Sequence, residues 1–457
     1  MTAGKGATEQ PPRKITPWGW FRENVEAIII AVVLALIIRH FAVQAFEIPT
    51  GSMAPTLYGD HRPQECPECK WKFSIGASRS GSHRPELPAN VICPNCRFDY
   101  RPRETFTSGH KILVNKFLYA FSKPKRWDVI VFKYPREPWR DYIKRLVGLS
   151  GETIAIKNGD IYINGKILRK DDETQESLWF PVYSMEHAPK NQALIPWRNA
   201  DAENPQWKIE PNSLVVETAD NSTVQFARPD GLKDIDIRNG YNLEEDSDDK
   251  RYYNKNEEKT PAADARIAFT VTPSKPGGSL TVKLEEERRK DSLNHVFILK
   301  IEGDGGKATG LYRHEQPLTV NEKLTLPVGK ATEVVCVNRD DRMQLWINGK
   351  KFLEHDYGDG SLSDDDEEVE DAELEFIAQN AAVEISKVTI HRDLYHRGDS
   401  HDNSFGPEEI PEGHYFALGD NTVNSTDSRS WGALPEENIV GRAFMVFWKP
   451  WEIKLIK

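Results

Sequence analysis

Two residues far apart in this chain are of the types that acyl transfer needs. Ser52 lies in Ile48-Pro49-Thr50-Gly51-Ser52-Met53-Ala54-Pro55-Thr56-Leu57, and Lys144 lies in Asp141-Tyr142-Ile143-Lys144-Arg145. A serine hydroxyl is a weak nucleophile that an adjacent base must activate. Lysine can be that base, with no histidine required, once burial lowers its pKa by disfavouring the ammonium form. Lys144 follows Tyr142-Ile143 and precedes Leu146-Val147-Gly148, surroundings compatible with such burial. Singly, neither residue is distinctive. Lysines mostly face solvent, and a serine among Pro and Gly is ordinary turn chemistry.

The elements that must position the pair begin with an apolar stretch, Val25 to Val43, that ends a few residues before Ser52. Its uninterrupted core, Ala27 to Ile38, is shorter than the roughly 20 residues of a full span. Trp18, Trp20 and Phe21 at one interface and Arg39 snorkelling at the other make up the deficit. Lys5, Arg13, Lys14 and Arg22 precede it, which favours a cytoplasmic N-terminus. Arg39-His40-Phe41 is a poor cleavage site for a secretory leader. The expectation is a disordered tail over 1–22, rich in Gly, Pro and Thr, then a single-pass anchor over 23–43. The large remainder then lies on the outer face.

A chain of 457 residues is too long for one ordinary core, and about three units fit it. Its net charge of -11 is uneven, and much of it comes from Ser361 to Asp371. Such a like-charge run reads as a solvated, mobile loop. No basic face suggests nucleic acid. Five cysteines exclude a disulfide-dense secreted scaffold. Cys336 sits in an apolar, strand-like run and reads as core. Cys66-Pro67-Glu68-Cys69 and Cys93-Pro94-Asn95-Cys96 are two knuckles 23 residues apart. Four thiolates so spaced suit one structural zinc, with two disulfides as the alternative on an oxidising side of a membrane. A catalytic metal is not expected there.

Short strands are predicted at Ile112–Val114, Val129–Phe132, Ile154–Ile156 and Ile161–Ile163, with Asn164-Gly165 as a turn. A second series follows: Arg266–Val271, His295–Ile301, Glu333–Val337, Met343–Lys350 running into a hairpin turn, and Ala382–Ile390. Alternating strands separated by turns predict a sandwich. Residues from about 171 to 264 are polar with scattered Trp and Pro and give no pattern. Tyr415–Asn421 and the strand Ala443–Trp448 close the chain.

In context, Ile48–Leu57, Asp141–Glu152 and Gly419–Arg429 resemble three signature boxes of type I signal peptidases, membrane-bound Ser/Lys proteases that remove signal peptides. Gly109–Lys116 and Arg126–Phe132 match flanking boxes, and about a third of the chain is covered. The resemblance implies that Ser52 is the nucleophile and Lys144 the general base. It implies that the Thr50 hydroxyl and the Ser52 backbone N–H form the oxyanion hole, and that Ser425 orients the lysine. Asp420, Asp427, Arg145 and Arg429 match positions expected to be ion pairs supporting the site. Ser150 stands where the family usually has Pro, and Thr422-Val423 where a basic residue is common. The implied partners are preproteins with small residues at the first and third positions before the cut, membrane lipid and the secretion translocon. No cofactor is implied for catalysis.

The cysteine pairs, flanked by Lys70 and Arg97, resemble a zinc ribbon with Cys66, Cys69, Cys93 and Cys96 as ligands. Leu345–Lys350 and Val388–Asp393 resemble a concanavalin-like jelly roll, a fold that serves as a glycan binder or as a bare spacer. The expected fold is mainly β, with a catalytic domain in three parts (44–60, 104–170 and 396–457). A ribbon-like insert (61–103), a connector (171–194) and a sandwich insert (195–395) interrupt it. The rival reading is a membrane-tethered carbohydrate-binding or interaction protein on an inactive peptidase-like scaffold.

Overall fold

A computed structural model describes residues 17–41, 43–77, 90–228, 263–288, 290–363, 369–398, 404–422, 424–448 and 453–456, without the side chains of 17, 19 and 34–41. Residues 1–16 of the expected tail and 364–368 of the acidic run lie outside the described residues. The protein is mainly β, as expected.

The first stretch is a 25-residue helix, Pro17–Phe41. Among the described residues, no helix is long and apolar enough to cross a membrane. The segment expected as a span, 23–43, is helical as far as Phe41, and the side chains of 34–41 are not among those described. Ile28, Ile29, Ile30, Val32 and Val33 are all exposed on this helix.

Two sheets carry the Ser52 and Lys144 segments. The larger runs, in spatial order, Val43–Glu47, Lys111–Asn115, Ile439–Trp448, Val129–Tyr134, Glu137–Gly148, His414–Leu418 and Leu434–Pro435. The smaller runs Lys166–Ile167, Asp160–Ile163, Thr153–Lys157 and Phe405–Glu409. Pairing is antiparallel throughout. Strands from before and after the long inserts are thus neighbours, which closes the sheet across more than 260 residues of intervening chain, as from Gly148 to His414. The Asn164-Gly165 turn has φ of 52° and 76°, the left-handed pair a tight hairpin needs.

A sandwich of two antiparallel sheets fills the middle. One runs Lys208–Glu210, Ser213–Glu217, Ala382–Arg392, Ala265–Pro273, Thr332–Arg339, Arg342–Ile347 and Lys350–Asp356. The other runs Trp197–Asn199, Asn221–Phe226, Val369–Gln379, Ser279–Arg288, Ser292–Lys300, Thr309–Arg313 and Gln316–Asn321. Inward-facing Ile267, Phe269, Val282, Phe297, Cys336 and Phe376 form its core, so Cys336 is a core residue.

Three details differ from the sequence-based expectation. Phe180–Ser184, expected as connector, is a strand paired to Ala382–Arg392. The acidic run ends in order, because Val369–Gln379 is a strand from its first residue. Ser279–Arg288 is a central strand that the sequence did not announce. Its Leu280, Val282 and Leu284 are buried while Lys283 and Glu285 pair on the outer face. Charges at every second position hid a regular period of two.

Candidate active site

The Ser52 loop is pinned from below by its own apolar residues. Met53 and Leu57 are fully buried among Ile48, Ile112, Val114 and Val131, and the Leu57 N–H closes back on the Met53 carbonyl at 2.8 Å. A Cβ on Gly59 would lie 2.3 Å from the Thr50 backbone, so only glycine admits this closure.

Lys144 arrives on the strand Glu137–Gly148. Successive strand side chains point to opposite faces, so Lys144 and Arg145 diverge and serve different partners. Lys144 Nζ donates to Ser52 Oγ at 2.6 Å. The lysine is 3% exposed. Burial pushes its pKa down to about 8, against the opposing pull of Asp427 and Asp420.

Arg145 meets Asp420 through two parallel bonds, Nε to Oδ1 at 2.9 Å and Nη2 to Oδ2 at 2.8 Å. Both residues are fully buried. Thr56 donates to the same carboxylate at 2.5 Å. Burial alone would raise the Asp420 pKa, but Arg145 and Thr56 hold it below the usual range. Asp427 is treated alike. Arg429 grips it at 2.8 and 2.6 Å, and the Gly419 N–H donates at 3.0 Å. It too stays low despite burial.

The other two expected site residues are placed differently. Thr50 is exposed, and among the described residues neither its hydroxyl nor the Ser52 backbone N–H has a hydrogen-bond partner. The expected contact of Ser425 with Lys144 is not made. Ser425 Oγ lies beside the Asp427 carboxylate, which it helps keep ionised, but forms no well-aligned hydrogen bond. It packs where a Cβ on Gly419 would fall, 2.1 Å away.

Asn421 was not assigned a part from the sequence, yet it holds the loop. Its N–H donates to the Ser52 carbonyl at 3.1 Å and its Nδ2 to the Gly51 carbonyl at 2.9 Å. The only available signal was its place beside Asp420. The two departures from the family pattern also have contacts. Ser150 Oγ accepts from the Gly413 N–H at 2.7 Å, and Thr422 Oγ1 accepts from the Arg397 N–H at 2.6 Å. Thr422 thereby ties the Asp420 loop to the segment on which the sandwich returns.

The four cysteines of the knuckles are buried free thiols, gathered within 4.8 Å of one another. Cys66 and Cys96 sulfurs are 3.7 Å apart, and Cys69 and Cys93 sulfurs 3.5 Å. Four sulfurs on a tetrahedral zinc would be separated by about 3.8 Å. The donor set therefore fits that ion. Each knuckle closes by a backbone bond, Lys70 N–H to the Cys66 carbonyl and Arg97 N–H to the Cys93 carbonyl. The second knuckle docks on the sandwich, where buried Asn95 accepts from the Ser184 N–H at 2.8 Å and donates to the His187 carbonyl at 2.9 Å.

The chain is 26% identical over 172 residues to signal peptidase I of Aquifex aeolicus, covering 35% of this chain and 48% of that protein. It is 31% identical over 137 residues to signal peptidase I of Pseudomonas aeruginosa, covering 30% and 35%. It is 45% identical over 62 residues to signal peptidase I V of Bacillus subtilis, covering 14% and 36%. The chain spans about half or less of the length of these relatives. Among solved structures, a carbohydrate binding module, CBM66 from Bacillus subtilis, aligns at 10% identity with a TM-score of 0.27, over 43% of this chain and 94% of that one.

The family model for signal peptidase, peptidase S26, matches residues 21–65, 99–222 and 328–448. It takes in the Ser52, Lys144 and Asp420 segments and passes over all four knuckle cysteines. An agreement of that extent, more than half of the sequence, makes this chain a member of the signal peptidase family, peptidase S26.

Proposed function

We propose that this chain is a signal peptidase I, a serine endopeptidase that removes N-terminal signal peptides from exported preproteins with Ser52 as nucleophile and Lys144 as general base. The observation that carries it is the buried amine 2.6 Å from the Ser52 hydroxyl. A lysine with a pKa near 8 holds a useful fraction of free amine at neutral pH. That amine takes the Ser52 proton as Oγ attacks the scissile carbonyl carbon. The resulting ammonium gives the proton to the departing amine as the peptide bond breaks, leaving an ester on Ser52. A water then loses its proton to Lys144 and adds to the ester carbonyl, and the acid leaves as Ser52 regains its hydrogen.

The oxyanion of each addition is met by the Ser52 N–H and the Thr50 hydroxyl, two donors with no partner of their own among the described residues. Together they supply several kcal/mol, on the order of 3 for each donor. Asp420, Arg145, Asp427 and Arg429 keep the loop and the lysine in register. Ser425 has the least support of the set, because it stands by Asp427 rather than the amine.

Preproteins with small residues at the first and third positions before the cut are the substrates. Val43–Glu47 is a terminal strand of its sheet, and a free strand edge just before the nucleophile favours binding of an extended segment by strand addition. The helix Pro17–Phe41 anchors the protein to the cell membrane, N-terminus in the cytoplasm and the sheets outside, and the secretion translocon is a neighbour there. Its exposed Ile and Val side chains support burial in lipid. Cys66, Cys69, Cys93 and Cys96 hold one structural zinc, which cross-links the two knuckles and takes no part in the reaction.

The test is cleavage of a detergent-solubilised preprotein with Ala at the first and third positions before the cut. Wild type is run beside Ser52→Ala and Lys144→Ala. Cleavage at the signal junction, lost in both variants, is expected. An inactive wild type, or cleavage indifferent to both changes, overturns the proposal.

A further inference from the structure

Where the sandwich rests on the smaller sheet, three carboxylates from three separate segments meet. Asp160 begins the strand Asp160–Ile163, Asp264 precedes the strand Ala265–Pro273, and Asp340 sits in the turn between Thr332–Arg339 and Arg342–Ile347. One oxygen from each lies within 4.8 Å of the others.

Among the described residues, neighbouring cations pair with Asp340 and leave the Asp160 and Asp264 carboxylates without one. Lys170 is buried and committed to Asp340 at 3.1 Å and to Asp393 at 2.7 Å. Arg339 reaches Asp340 at 3.3 Å and Asp172 at 3.1 Å. Arg288 and His295 are both taken by Glu286, at 2.9 and 2.8 Å. Among the described residues, the Asp264 carboxylate accepts only the Asp340 N–H, at 3.1 Å, and the Asp160 carboxylate has no hydrogen bond or ion pair. Burial and mutual repulsion push the Asp160 and Asp264 carboxyls well above the usual range, so each resists ionisation while nothing lies between them.

A second observation is independent of the acids. A cavity of about 10 Å³ is lined by Asp160, Lys170, Asp340 and His396, which is room for one ion or water. His396 is 1% exposed and, among the described residues, has no hydrogen-bond partner at either ring nitrogen. A buried imidazole with both nitrogens unmet, on the wall of so small a space, indicates a missing occupant. On the other side, Asp160 and Asp264 face a larger cavity of about 300 Å³, which can supply water ligands.

We propose that Asp160, Asp264 and Asp340 bind a calcium-class divalent cation that fastens the sandwich to the peptidase sheet. All donors are hard oxygens, which excludes a preference for soft metals. Calcium takes oxygens at about 2.4 Å in a flexible geometry, which suits three carboxylates from separate segments, whereas magnesium demands a strict octahedron at about 2.1 Å. Lys170, held by Asp340 and Asp393, and His396 carry the site toward the Ser52 region. His396 feels the charges of Asp420, Asp427 and Arg429, and the Arg429 guanidinium donates to the carbonyl of adjacent Arg397. The site is independent of whether the chain cleaves preproteins, and its test does not read cleavage.

The full chain, solubilised in detergent and stripped of divalent ions, is titrated with terbium, a hard-ion stand-in for calcium that thiolates do not retain. Tyr162 and Tyr357 line the larger cavity and serve as sensitisers. Sensitised emission displaced by calcium is expected, together with a calcium-dependent rise in Tm. Asp160→Asn and Asp264→Asn should weaken calcium at least about tenfold. Asp160→Asn should also raise the ion-free Tm, because it removes repulsion, which a misfolded variant would not do. No calcium-displaceable emission in the wild type, or full calcium response in Asp160→Asn, overturns the proposal.

Discussion

Two charge clusters in this protein are built on opposite principles. Around Ser52, each carboxylate has its own guanidinium in a two-bond grip, Asp420 with Arg145 and Asp427 with Arg429. At the seam with the sandwich, Asp160, Asp264 and Asp340 crowd together while, among the described residues, Lys170 and Arg339 pair with Asp340 alone of the three. The first cluster is internally neutralised and leaves one group, Lys144, out of balance by burial. Its unusual pKa is thereby concentrated on the one residue suited to move a proton. The second leaves its imbalance on several acids at once, which suits holding a cation and not proton transfer.

The largest expected effect separates the clusters by activity. Ser52→Ala and Lys144→Ala should each reduce preprotein cleavage by at least about 10⁴-fold, while ion-free Asp160→Asn protein retains the dyad. Equal losses from both regions would erase the distinction.

Next comes stability. Asp420→Ala leaves Arg145 charged and buried without a partner and should cost about 3–5 kcal/mol in denaturant unfolding. Replacing Arg145 and Asp420 together by leucines should recover much of that. Asp160→Asn in divalent-free buffer should instead stabilise, so the two aspartate variants move in opposite directions.

The pH dependences should also oppose each other. Asp160 and Asp264 have raised folded pKa values, so their contribution in ion-free protein is favourable in acid and is lost as pH rises through those values. Asp420 and Asp427 have lowered ones, so theirs is present above the unfolded pKa and is lost as pH falls through the folded values. Unfolding followed from pH 7 to pH 5 in ion-free buffer should show the acid-favoured trend in wild type and a flatter profile in Asp160→Asn. In cleavage, Lys144 must be neutral to act, so kcat/KM should rise with pH to a midpoint near 8. Asp427 holds that pKa up, so Asp427→Asn should move the limb to lower pH.

Smaller effects test what lies outside both clusters. Asn95→Ala leaves the Ser184 N–H and the His187 carbonyl unpaired at the knuckle's docking face and should cost about 1–3 kcal/mol. Lys275, paired with Glu217 on the open surface, should be worth less than about 0.5 kcal/mol when changed to Ala.

The Ser52 and Lys144 segments were legible because each is a contiguous string. Met53 and Leu57 sink the loop, and Arg145 follows Lys144 on one strand with the alternate facing. Asn421 was not legible in its role, since what it holds lies 370 positions away in the chain. The predicted strands were found where apolar residues alternate with few charges. Ser279–Arg288 was missed because its outer face is almost all charge, and Phe180–Ser184 because a polar stretch surrounds it. The Ser425 contact with Lys144, inferred from the resemblance, is not made.

By itself, the sequence determined the residue types, the order of the boxes and the period-two strands, because these depend on local spacing and side-chain chemistry. It also determined the two cysteine knuckles as paired turns. Which charges balance was decided only by the tertiary structure. Arg145 and Asp420 are 275 residues apart, and Asp160, Asp264 and Asp340 come from three segments that meet only after the sandwich has closed on the smaller sheet. Electrostatic energy depends on distance and burial, and the chain's order records neither.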